Sequence, residues 1–126
     1  MITTSGGTIV FGGKVDRKKR FVENTVIFNP KLDSSLMREE IFGPIMPILP
    51  FKTIDDAIFQ INQLDKALCI YYFGNPNSSN LKAVIDQTSS GGVSANEIIL
   101  QSAAPSLGFG GVGASGYGRY IGEIGF

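Results

Sequence analysis

The sequence predicts an α/β protein: a layered sheet with crossover helices, followed by a glycine-rich C-terminal loop. Three observations carry this. Thr53–Asp65 and Asn77–Ser90 hold apolar residues at helical spacing. Strand-like runs at Ile45–Phe51, Ala67–Phe73 and Gly92–Leu100 alternate with those helices, as a sheet with crossovers requires. Finally, eight of the sixteen glycines fall between Gly108 and Gly125, which marks a change from packed elements to a loop.

Taken in order, Thr8-Ile9-Val10-Phe11 reads as a short strand stopped by Gly12-Gly13. Asp16-Arg17-Lys18-Lys19-Arg20 is a polar link. Phe21–Phe28, rich in β-branched and aromatic residues, is read as a second strand forming a hairpin-like pair with the first. Asn29-Pro30 breaks it. Ser34–Glu40 is short and polar, with Leu36 and Met37 expected to face inward. Ile45–Phe51 is apolar but flanked and interrupted by Pro44, Pro47 and Pro50. Prolines cannot donate to a ladder, so this is an edge or bulged strand.

Thr53–Asp65 is the clearest helix. Thr53 caps it, Asp56 stands three residues on in a capping-box arrangement, and Ile54, Ala57, Ile58, Ile61 and Leu64 share a face. Ala67–Phe73 is a continuous apolar run, as expected of a parallel strand buried on both faces. Asn77–Ser90 places Leu81, Val84, Ile85 and Thr88 on one helical face, with Gly91 expected as a left-handed cap.

Composition narrows the function. The formal net charge is zero, so nothing here pulls the protein toward nucleic acid or anionic lipid, and the basic run Arg17–Arg20 reads as a solvated turn. There is no histidine and one cysteine, Cys69, which removes His-based triads and makes a zinc or copper site untenable. A single thiol forms no intrachain disulfide and suits the cytoplasm or another reducing intracellular compartment. Cys69 lies in a strand without a basic partner and reads as a small inert hydrophobe rather than a nucleophile. Neither a signal peptide nor a stretch approaching the roughly 20 apolar residues of a membrane span is visible.

Gly111-Val112-Gly113-Ala114-Ser115-Gly116 fits the spacing G-x-G-x-x-G. A dinucleotide fingerprint needs a strand before it, a helix after it and an acidic residue about 20 positions on. Gly116-Tyr117-Gly118-Arg119-Tyr120 is a poor helix, so the reading is a loop of tight turns passing close to other backbone.

Two segments resemble a known family. Arg38-Glu39-Glu40-Ile41-Phe42-Gly43-Pro44 is similar to the signature that aldehyde dehydrogenases carry before an apolar strand. Gly108-Phe109-Gly110-Gly111-Val112-Gly113-Ala114-Ser115-Gly116-Tyr117-Gly118-Arg119 resembles their C-terminal phenylalanine-glycine-glycine loop. The spacing and the order of elements between them match as well. Ala67–Phe73, Ser89-Ser90-Gly91-Gly92-Val93 and the glycine loop look like the fatty-aldehyde, class 3 branch.

The resemblance implies that residues 1–126 form the C-terminal part of a catalytic domain that oxidises aldehydes to carboxylic acids with NAD or NADP. In that chemistry a cysteine thiolate attacks the carbonyl, hydride passes to the nicotinamide, and water releases the acid. By position, Glu40 would hold the nicotinamide ribose, Phe42 would pack near the nicotinamide, and Phe109 would line the aldehyde tunnel. The nucleophilic cysteine, the general-base glutamate, the oxyanion asparagine and the coenzyme-binding half would belong to sequence before Met1. The chain alone is therefore expected to be inactive, and no catalytic residue is assigned within it. Expected partners are a small aldehyde and, through sheet edges, a second copy or an intact subunit. Neither nucleic acid, a metal nor a membrane segment is expected.

Overall fold

The computed structural model describes residues 1–123 and divides into two compact units, Met1–Phe51 and a second that begins at Lys52. The mixed α/β class expected from the sequence is present.

In the first unit, β1 (Thr8–Phe11) is followed by a small hairpin, β2 (Val15–Asp16) and β3 (Phe21–Val22), then by β4 (Thr25–Phe28), the short helix α1 (Ser35–Arg38) and β5 (Ile45–Ile48). The central strand is β4, antiparallel to β1 and parallel to β5. The hairpin-like pairing of β1 is thus realised, but the expected single strand Phe21–Phe28 is divided. Phe21 and Val22 turn away to pair with Asp16 and Val15, while Glu23 N–H donates to the Lys14 carbonyl at 2.9 Å. The strand resumes at Thr25, whose hydroxyl donates to the Glu23 carbonyl and accepts from Gly13 N–H.

Asn29, in a left-handed conformation, and Pro30 end β4 as expected. The proline-rich strand β5 does sit at a sheet edge. The carbonyls of Pro44 and Ile48 accept from Thr25 and Asn29, so the even-numbered residues of β5 face β4. The nitrogen of Pro47 therefore points off the sheet, where a missing N–H costs nothing. Ile27 and Leu36 form the core of this unit, both essentially inaccessible, and Met37 is half-buried.

In the second unit α2 (Ile54–Asn62) packs on α3 (Ser79–Gln87), and β6 (Ile70–Tyr72) pairs in parallel with β7 (Val93–Ala95). The order β6–α3–β7 is the crossover that the alternation of elements predicts. The capping box of α2 is present in full: Thr53 Oγ1 accepts from Asp56 N–H, and the Asp56 carboxylate accepts from Thr53 N–H. Ile58, Leu81 and Val84 supply the buried helix faces.

Four expectations in this unit are corrected. The Ala67–Phe73 run shortens to Ile70–Tyr72 and is not buried on both faces, since Leu68, Tyr71 and Phe73 are exposed. Among the described strands it pairs on one edge only, with β7. Ile85 is likewise exposed. Gly91 is not a left-handed cap. The helix ends earlier, at Gln87, where the Thr88 hydroxyl donates to the Val84 carbonyl at 2.6 Å. The strand expected over Gly92–Leu100 stops at Ala95, because Asn96 adopts φ 59° and its side-chain amide closes on both backbone groups of Gly74.

Candidate functional site

The glutamate signature lies in the first unit. Ser34–Arg38 form little more than one helical turn, which ends when Glu39 becomes extended at φ −110°, ψ 151°. The chain then runs out through Glu40, Ile41 and Phe42. Ile41 is half-buried, whereas Glu40 and Phe42 on either side of it are exposed, Phe42 to 91%. A side chain of that size left in water is unusual for a phenylalanine, which gains most by burial. The Glu40 carboxylate has no hydrogen bond or ion pair to any described residue. Beyond them Gly43 faces open space, and Pro44 enters β5 by accepting from Thr25 N–H at 2.8 Å. A shallow depression of about 350 Å³ borders this corner, lined by Asn24, Thr25, Val26, Gly43, Pro44 and Met46.

Phe109 lies in the second unit, at the neck of the glycine loop. Its backbone exchanges both hydrogen bonds with Tyr120, at 2.8 and 2.9 Å, and the two rings meet edge to face at 5.9 Å. The bridge closes residues 110–119 into a loop. Ser115 holds the interior turn, accepting from Val112 N–H at 2.9 Å and donating to the Val112 carbonyl at 3.0 Å. Glycine at two positions follows from crowding. A Cβ on Gly110 would lie 2.0 Å from the Gly118 carbonyl oxygen, and one on Gly91 would lie 2.1 Å from the Gly110 carbonyl oxygen. Loop and β7 approach are therefore fitted backbone to backbone.

A single 3-10 turn over Gly113–Ser115 stands where a dinucleotide fingerprint would need a helix. The loop reading of G-x-G-x-x-G holds.

Between the loop and the start of β7 is a cleft of about 240 Å³, lined chiefly by Leu68, Cys69, Val93, Leu107, Phe109 and Arg119. Its walls are mostly apolar. Burial pushes the Cys69 thiol up from its ordinary value of 9.0, partly offset by hydrogen bonding from the Tyr71 side chain and the Ser94 backbone. The thiolate is thus disfavoured, the reverse of what a nucleophile needs. Gln101 also lines the cleft. Its Nε2 donates to the Tyr71 hydroxyl at 2.7 Å, while its Oε1 is buried without a partner. Sequence reasoning missed Gln101 and Arg119. Neither belongs to a periodic pattern, and their place in the cleft follows only from the turn at Ile99–Ser102 and the Phe109–Tyr120 bridge.

The structure thus places Glu40 and Phe42 together on an exposed segment of one unit and Phe109 in an apolar cleft of the other. No group of three or more His, Cys, Asp or Glu side chains capable of holding a metal occurs among the described residues.

A parallel crossover unit, a proline-edged sheet and a bridged glycine loop define part of a layered α/β domain rather than a free-standing dinucleotide-binding fold. The model of the aldehyde dehydrogenase family matches residues 2–126, and the chain belongs to that family. It is 46% identical over 121 residues to aldehyde dehydrogenase family 3 member A2 of Mus musculus, covering 96% of this chain and 25% of that protein. Among solved structures, the substrate-bound state of Staphylococcus aureus AldH superposes with a TM-score of 0.83 at 42% identity, over 99% of this chain and 27% of that one. Succinic semialdehyde dehydrogenase from Streptococcus pyogenes, solved with NADP+, gives 0.82 at 30% identity, over 98% and 28%. The chain therefore spans about a quarter of the length of the curated relatives it matches.

Proposed function

We propose that this chain supplies the coenzyme-ribose clamp and part of the aldehyde channel of an NAD(P)-dependent aldehyde dehydrogenase acting on medium- or long-chain fatty aldehydes. The observation that carries this is the unpaired Glu40 carboxylate beside an unpacked Phe42. These residues fit a nicotinamide dinucleotide. Two free carboxylate oxygens accept from a vicinal ribose diol, and a bare aromatic face packs on a planar ring without competing for hydrogen bonds. When bound, NAD or NADP would accept the hydride taken from the substrate; the Streptococcus pyogenes relative solved with NADP+ supports a nicotinamide coenzyme. Glu40 binds and orients, and Phe42 excludes water from one side of the ring. Phe109, with Leu68, Val93 and Leu107, offers an apolar wall to an alkyl chain.

Residues 1–126 hold one thiol, Cys69, just before β6, and the burial that raises its pKa argues against it as the attacking group of this reaction. In this reading the attacking cysteine comes from other polypeptide. The test mixes this chain with the preceding three-quarters of a family-3 aldehyde dehydrogenase and follows NADH formation with a fatty aldehyde. Rescue is expected, and Glu40→Gln should raise the KM for coenzyme by about 10- to 100-fold, the worth of charge-assisted hydrogen bonds to ribose. A rescued enzyme indifferent to Glu40→Gln would refute the clamp; a rate no higher than the aldehyde-free control would refute the enzyme reading.

A second reading is favoured by the exposed apolar residues of β1 and β6: a non-catalytic chain that associates with intact aldehyde dehydrogenase subunits through sheet edges. Failure to co-purify with a full-length relative would dispose of it. A single thiol also fits a reducing compartment such as the cytoplasm.

A further inference from the structure

Five of the eleven lysines and arginines lie within Lys14–Arg20, a concentration that the zero net charge of the whole chain conceals. They surround one turn. Asp16 and Phe21 are the last paired residues of the β2–β3 hairpin, so Arg17, Lys18, Lys19 and Arg20 form its tip, closed by Arg20 N–H donating to the Arg17 carbonyl at 3.3 Å. The nearest carboxylates do little to neutralise them. Asp16 accepts from the backbone N–H groups of Lys18 and Lys19, and Glu23 accepts from that of Lys14. The one ion pair here, Lys19 Nζ to Asp16 Oδ2, is 4.0 Å long and exposed. The side-chain cations of Arg17, Lys18 and Arg20 pair with no described residue. Arg20 is also held at φ 52°, a conformation that glycine adopts without strain, so a cation is kept where a turn would ordinarily favour glycine or asparagine.

Behind the cationic tip the hairpin is apolar and uncovered. Val15 and Val22 lie opposite each other on one face, Phe21 is on the other, and all three are exposed, Val15 to 54% and Phe21 to 51%.

We propose that this hairpin docks the protein on an anionic lipid surface. Lipid phosphates and carboxylates attract the four tip cations, each contributing close to the membrane. The valine pair and Phe21 then leave water for the headgroup boundary, as basic-apolar interfacial segments do. A nucleic acid would satisfy the cations but not the two aliphatic side chains, and one phenylalanine makes a poor stacking platform. The surface lies wholly in the first unit and does not depend on the coenzyme clamp or on any catalytic step.

Cosedimentation of the full 126-residue chain with vesicles tests this directly. Vesicles of equal parts phosphatidylserine and phosphatidylcholine should bind it, and pure phosphatidylcholine vesicles should not. Binding should weaken as salt rises from about 0.1 M to about 1 M, which shortens the screening length from about 10 Å to about 3 Å. Replacing Arg17, Lys18, Lys19 and Arg20 together by serine should lower partition by more than about tenfold. Replacing Lys52, Lys66 and Lys82 by serine should leave it unchanged. Equal binding to both vesicle types, or to neither, overturns the proposal without reliance on any variant. Complete displacement from the mixed vesicles by duplex DNA at equal phosphate would overturn it in favour of a nucleic-acid surface.

Discussion

Gly91 and Gly92 are adjacent and chemically identical, yet substitution should separate them. A Cβ on Gly91 would lie 2.1 Å from the Gly110 carbonyl oxygen and 2.6 Å from that of Leu68, both backbone atoms that cannot rotate aside. Gly91→Ala should therefore destabilise the second unit by about 3 kcal/mol, the upper range for overpacking. Gly92 has nothing within 4 Å of the same position, and Gly92→Ala should be neutral or stabilise by up to about 1 kcal/mol through the unfolded chain. Urea midpoints of the two variants check this; equal midpoints would show that the loop does not press on the strand. The sequence reveals a glycine pair after a helix and suggests a left-handed cap. It cannot reveal which glycine meets a loop some 20 residues away.

Cys69 makes the complementary point at the same scale. Its place in an apolar run is legible in the sequence, and the structure adds the direction of its titration. Burial raises the folded pKa above the ordinary value, so the folded state holds the proton more tightly than the unfolded chain does. The stabilisation is complete below the unfolded value of 9.0 and is lost as pH rises through the higher folded value. Alkylation by iodoacetamide at pH near 8 should accordingly be slower in the folded chain than in urea. A folded thiol that reacts faster than the unfolded one would contradict this.

Elements governed by local chemistry were legible, and those governed by distant contacts were not. The start of α2 is the clearest case. Thr53 and Asp56 satisfy each other's backbone N–H groups, an arrangement written in four consecutive residues. Thr53→Ala should cost about 1 kcal/mol and Thr53→Ser very little. By contrast Lys82→Ala, which removes an exposed i,i+4 pair with Asp86, should cost less than about 0.5 kcal/mol. Thermal denaturation of the three variants ranks them, and a Lys82→Ala loss as large as that of Thr53→Ala would deny the cap its weight. The placement of β5 was legible to within two options, since Pro47 admits an edge or a bulge, and the structure shows the edge. The division of Phe21–Phe28 and the early end of β7 were not. Both depend on pairings across many residues, Val15 with Val22 in one case and Asn96 with Gly74 in the other. The site divides in the same way. Glu40, Phe42 and Phe109 came from resemblance, whereas Gln101 and Arg119 came only from the fold around the cleft.

At the scale of the whole molecule the decisive quantity is surface. A compact folded monomer of 13.5 kDa exposes about 6,500 Å², and two separate compact bodies of the same total mass roughly 7,900 Å². The described chain exposes 9049 Å². Among the described residues the buried apolar core comprises Ile27, Leu36, Ile58, Leu81 and Val84, while Val10, Phe11, Phe51, Phe59 and Phe73 stand more than half exposed. Even against the larger figure the excess is about 1,150 Å², more than the roughly 800 Å² that each partner buries in a standard protein–protein interface. Such a surface in water drives association. Purified alone, the chain should bind a hydrophobic dye strongly and elute from size exclusion above the mass of a monomer. Addition of the rest of a family-3 aldehyde dehydrogenase, the part this chain does not match, should suppress dye binding and give one discrete complex, because complementary burial removes the sites that both dye and self-association use. A monomer that ignores the dye and unfolds in a single sharp transition would mean that this surface is satisfied within the chain, and that no association with other polypeptide is needed to explain it.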